Sequence, residues 1–77
     1  MTRKQRIAKT RSILVRLRER AALSQSDLAK DCGVTRGAVI RWEGLTCEPD
    51  VQHRAKYADA LGIKVSRLGA LIYAAQS

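Results

Sequence analysis

The chain has 77 residues, 45% of them apolar and 29% charged, and carries a net charge of +8. That length holds one domain near the lower end of what a single apolar core stabilises unaided, so dimerisation is a natural supplement, and the apolar fraction excludes a disordered chain. With no Phe, one Trp and two Tyr the core is left to Leu, Ile, Val and Ala, and no apolar run approaches the roughly 20 residues of a membrane span.

The charge is unevenly placed. Residues 1 to 20 hold eight Lys or Arg against the single acid Glu19, whereas the remainder holds seven against six. A basic segment on a near-neutral body points to a polyanion partner, nucleic acid first. The N-terminus lacks the apolar stretch of a signal peptide, so the protein is expected in the cytoplasm of a bacterial or phage-infected cell.

Ile7, Leu14, Leu17 and Ala21, with Ile13 beside them, recur at helical spacing. They predict a first helix over about Thr10 to Ala22. Thr2 with Gln5 forms an alternative, earlier capping box, so residues 1–9 are either a helix extension or a basic arm, ahead of a domain over 10–77.

A second helix opens at "SQSD", where Ser24 caps and Asp27 reaches back, and stops at Gly33, which supplies the positive φ of a sharp turn. Thr35 caps a third helix running to about Glu43. Two short helices across a glycine turn are a helix-turn-helix unit. At about 100° per residue Val39 and Trp42, with Ala38, share the face that must be buried. Arg36, Gly37, Ile40 and Arg41 then face outward.

The loop "GLTCEPD" leads to Asp50, the expected cap of a fourth helix over Val51 to Leu61, with Val51, Ala55, Ala58 and Leu61 on one stripe and Gly62 as its stop. A fifth helix starts near Val65 and carries Leu68, Leu71, Ile72 and Ala75. The fold class expected is therefore all-α, a compact five-helix domain.

Cys32 and Cys47 lack metal spacing, and with His53 they would be one ligand short, so no metal or other cofactor is expected and both are taken as free thiols. His53 reads as an exposed or half-exposed helix residue, and Trp42 and Tyr57 as core. No nucleophile, base and orienting group occur together, so the chain is not expected to be an enzyme.

The run "LRERAALSQSDLAKDCGVTRGAVIRWE", with "PDVQHRAKYADALGIKVSRL" behind it, resembles the Cro/repressor-type (XRE-like) helix-turn-helix family, the lambda-repressor-like DNA-binding domains. The resemblance spans about Leu14 to Leu68. It rests on Arg18, Ser24, Gln25, Leu28, Ala29, Gly33, Val34, Val39, Trp42, Glu43 and "ALGI" at fixed spacings.

It implies that Gln25 bonds a DNA phosphate and buttresses the recognition helix, and that Thr35 is a cap near the backbone. Arg36, Gly37, Ile40 and Arg41 fall where relatives read the major groove, and Arg18 and Glu43 match a pair tying helix 1 to the end of helix 3. Relatives commonly dimerise through helix 5, here through Leu68, Leu71, Ile72 and Ala75. The chain departs from the family in having Ala22 and Leu45 where relatives usually have Gly, with Gly44 one position early, so the end of helix 3 is expected to differ. The following loop, Leu45 to Glu48, is not basic. Phosphate affinity is accordingly expected from Arg3, Lys4, Arg6 and Lys9, with minor-groove reading by the arm as the competing mode.

The outward face of helix 3 supports the same partner. Glycine inside a helix costs roughly 1 kcal/mol and an exposed Ile gains nothing from water, unless DNA approaches. Arg36 and Arg41 suit guanine O6 and N7, and Ile40 a thymine methyl. The function expected is a sequence-specific transcription regulator that binds an inverted-repeat operator as a homodimer, without a small-molecule effector. The alternatives are a protein-interaction module, such as an antitoxin or a phage protein that occupies a host factor, and a non-specific nucleic-acid binder.

Overall fold

A computed structural model describes residues 1–76; Ser77, the last residue of the expected domain, lies outside the described residues. Five helices follow in order: α1 (Arg3–Arg20), α2 (Gln25–Cys32), α3 (Arg36–Glu43), α4 (Val51–Leu61) and α5 (Val65–Gln76). No strand occurs among the described residues, so the all-α reading holds.

The largest shift from expectation is the start of α1. It begins at Arg3, not Thr10, because the Thr2 hydroxyl accepts from the Gln5 N–H at 3.2 Å and the Gln5 amide oxygen accepts from the Thr2 N–H at 2.7 Å. That reciprocal pair satisfies two donors that a helix end leaves free. Thr10 is instead a buried residue inside the helix. α1 also stops two residues before Ala22, because Ala22 takes a φ of 60° and reverses the chain.

All four inter-helix turns begin with the same device. After each of α1 to α4 one residue adopts the left-handed conformation, and the N–H that follows it bonds back into the last turn: Leu23 to Arg18, Val34 to Ala29, Thr46 to Arg41 and Ile63 to Ala58. Gly33 and Gly62 fill the left-handed position in two turns, where a missing Cβ removes the strain. Ala22 and Leu45 fill it in the others. The expected change at the end of α3 is thus one of residue and not of geometry, since Gly44 stays right-handed and Leu45 takes the φ of 60°.

Helix starts follow the caps read from the chain, with one correction. Ser24 and Asp27 form a capping box, and Thr35 accepts from the Ala38 N–H at 3.2 Å. The Ser24 backbone N–H, then its hydroxyl, hold the Asp27 carboxyl below its ordinary value, with Lys30 adding to them. Asp50 occupies the cap position of α4 but makes no cap hydrogen bond. Its carboxylate is drawn to His53 Nδ1, at 3.5 Å.

The core joins Leu14 and Leu17 of α1, Leu28, Ala29 and Cys32 of α2, Val39 and Trp42 of α3, Tyr57, Ala58 and Leu61 of α4, and Leu68 and Ile72 of α5. Burial of so many aliphatic groups is the main stabilising term, at about 25 cal/mol per Å² of apolar surface. Val51 and Ala55, expected on the buried stripe of α4, are both exposed, Val51 at the helix's first position.

Candidate nucleic-acid interface

The N-termini of α2 and α3 emerge side by side, and a chain of polar contacts joins them to α1. Arg18 Nε donates to Glu43 Oε2, and Arg18 Nη1 donates to the Leu23 carbonyl at 2.9 Å. The other Glu43 oxygen accepts from Gln25 Nε2 at 3.0 Å, and Gln25 Oε1 accepts from Arg36 Nη2 at 3.4 Å. The side chains of Arg18 and Glu43 are only 13% and 6% exposed, so removing either one would leave a desolvated charge unpaired. The pair fixes the end of α3 against α1, and Gln25 extends that constraint to the beginning of α3.

Gln25 thus braces α3 at both ends, the buttress that the resemblance implies for it. In the free protein both ends of its amide are engaged within the protein, on Glu43 and Arg36. Its place at the first position of α2, directly opposite Arg36, was the signal that the two helix starts would meet.

On α3, Val39 and Trp42 are buried and Ala38 is half-buried, as the helical period requires. Arg36, Ile40 and Arg41 are exposed, Ile40 to 46%. Gly37 lies in the first turn of the helix and not near its middle, so its penalty is smaller than that of an interior glycine. A Cβ built there would meet Arg41 Nη1 at 3.6 Å and Thr35 Oγ1 at 3.8 Å, which are ordinary contacts. The fold therefore does not demand glycine at 37. The same distances put the Arg41 guanidinium over Gly37.

The basic residues of α1 do not form one arm. Because 3–9 are helical, successive side chains turn by about 100° each, so Lys4, Arg11 and Arg18, seven apart, stay on one flank. Arg3, Lys4 and Arg11 line one cavity with Ile7 and Ala8. By the same rule Lys9 lies nearly opposite Lys4 and Arg11, and Arg6 stands beside Arg3 but away from Lys4, so the expected phosphate ligands Arg3, Lys4, Arg6 and Lys9 are spread around the helix.

The helix 5 expectation also needs correction. Leu68, Ile72 and Ala75 are 0%, 5% and 0% exposed, already buried inside one copy of the chain. Only Leu71, half-buried, remains of the four. Tyr73, at 75% exposure, and Val65, at 49%, are large apolar side chains of α5 that point outward instead.

Cys32 is buried, Cys47 is exposed, and no group of three or more His, Cys, Asp or Glu among the described residues is placed to hold a metal ion. Among the described residues no helix is long and apolar enough to cross a membrane. Trp42 stacks inward against Tyr57, with ring centroids 5.1 Å apart, and against the half-buried His53 at 6.0 Å.

A family model described as helix-turn-helix matches residues 14–68. No curated protein and no solved structure matches the chain.

Proposed function

The chain belongs to the XRE-type, lambda-repressor-like helix-turn-helix family of DNA-binding regulators, and on that premise we propose that it is a sequence-specific repressor of the Cro type. In this reading two copies bind an inverted-repeat operator, with α3 of each in the major groove of one half-site and the half-sites about one helical turn apart.

The observation that carries the proposal is the outward face of α3. It combines two arginines, an exposed Ile40 and a glycine that the fold does not require. Arg41 and Arg36 are the guanine readers, Ile40 touches a thymine methyl, and Gly37 lets the backbone approach the base edges. Phosphates of the same duplex meet Thr35, Gln25 once Arg36 has moved to a base, and the α1 flank of Arg3, Lys4 and Arg11. Regulation at an operator would place the protein in the cytoplasm.

Selection of bound sites from a random duplex pool tests this. An inverted repeat with guanines in each half should emerge, bound at least ~10³-fold more tightly than random duplex. A pool that stays random after selection would refute specific readout while leaving general DNA binding intact.

A further inference from the structure

A second cationic surface lies on the seam between α1 and α5. Ile13, Arg16, Leu17, Arg20 and Arg67 line a cavity of about 310 Å³. Three of the five are arginines and none is an acid. Arg16, Arg20 and Arg67 make no ion pair among the described residues, although Glu19 lies three residues from Arg16 on the same helix. The floor is apolar, formed by half-buried Ile13 and buried Leu17.

The cavity faces away from the reading surface. Arg16 and Arg20 each stand two residues from Arg18, a turn of about 200°, so they leave α1 on the flank opposite the one that joins Gln25 and α3. A duplex seated on α3 would leave it open.

We propose that this cleft docks an acidic protein segment that carries an apolar anchor. Carboxylates pair with the three guanidinium groups, whose fork geometry suits them, and an aliphatic side chain covers Ile13 and Leu17. The volume is at the lower end of ligand cavities, which run roughly 300–1,000 Å³ and fit a few side chains. Nucleic acid fits less well. A single strand needs aromatic platforms for its bases, and no lining residue is aromatic. A duplex presents an extended row of phosphates and has nothing to set on an apolar floor.

The test is titration of the isotope-labelled protein with an end-blocked peptide of two leucines flanked by glutamates, followed by amide shifts. The shifts should centre on Ile13, Leu17 and Arg67. Arg20→Gln with Arg67→Gln should weaken binding about tenfold or more, whereas Lys4→Gln with Arg11→Gln, an equal loss of charge, should change it about twofold or less. Replacing the leucines by serines should also abolish the localised shifts.

Equal weakening by the two double variants would overturn the proposal in favour of general attraction to a basic protein. Unaltered binding of the serine peptide would overturn the anchor. Shifts at the cleft produced by a short oligonucleotide instead of the peptide would assign the surface to nucleic acid. All these readouts are taken without operator DNA, so a failure here is separable from a failure of operator recognition.

Discussion

Ala22 has a φ of 60° and an exposed side chain, in a conformation that places Cβ too close to the backbone. The left-handed region costs a residue other than glycine roughly 1–2 kcal/mol, partly offset by the greater freedom glycine has when unfolded. Ala22→Gly should raise stability by about 0.5–1 kcal/mol, read as a higher denaturation midpoint with an unchanged slope. Leu45→Gly should gain less, because Leu45 packs on the core and its side chain would be lost. The departures from the family glycines were legible in the sequence. What was not legible is that the backbone keeps the same turn, since residue identity reports a preference and packing decides whether it is overridden. Tyr57 poses a different local problem. Its hydroxyl is buried without a hydrogen-bond partner, and desolvation, followed by the negative charges of Glu43 and Cys32 and opposed by Arg18, pushes the phenol far above its ordinary range. The unfolded chain can ionise this group above about pH 10 while the folded chain cannot, so its contribution is complete below that pH and falls as pH rises. Tyr57→Phe should therefore keep or improve stability at neutral pH and reduce the loss on alkaline titration, measured by urea melts at both pH values.

α3 is the element in which structural and reading residues are most clearly divided. Its buried side was legible because Val39 and Trp42 are three apart and its start because Thr35 precedes it; the contact between Gln25 and Arg36 was not, since it depends on how two helices meet. Gly37→Ala separates the demands of fold and partner. The added methyl meets only ordinary contacts and improves helix propensity, so stability should rise, by less than the roughly 1 kcal/mol of an interior glycine, while operator affinity should fall because the backbone can no longer approach as closely. Thermal melts and operator titrations of the same variant check both halves. A fall in stability would mean that glycine serves the fold. Arg41→Ala should leave the melt nearly unchanged and cost roughly 1–3 kcal/mol on the operator, with discrimination relaxed at one guanine per half-site.

At the scale of the whole molecule, the amount of charge is legible in the sequence but its direction is not. Eight basic residues in the first twenty were plain from the chain, but their division into two flanks follows from the continuous helix Arg3–Arg20, and that helix depends on the choice of Thr2 over Thr10 as its start. The helix 5 stripe was misassigned to an interface for a related reason: a period of 3.6 marks a buried face without saying whether the same chain or a second copy buries it. Charged substitutions at Ile72 would therefore disrupt the monomer core. Leu71→Glu with Tyr73→Glu instead probes the outward side of α5 and should give folded monomers with weak operator affinity, seen as halved mass in light scattering. The flanks of α1 then bear on DNA unequally. Each phosphate contact releases counterions and contributes about 0.9 to the slope of log affinity against log salt, while carrying no base information. Lys4→Gln with Arg11→Gln should flatten that slope by up to about 1.8 per subunit and weaken operator and random duplex alike. Arg6→Gln with Lys9→Gln, the same loss of charge on the opposite flank, should leave the slope nearly unchanged. Equal flattening by both pairs would mean that the N-terminal turns of α1 unwind on DNA and act as an arm, and a loss confined to operators with A·T-rich flanks would identify that arm as a minor-groove reader.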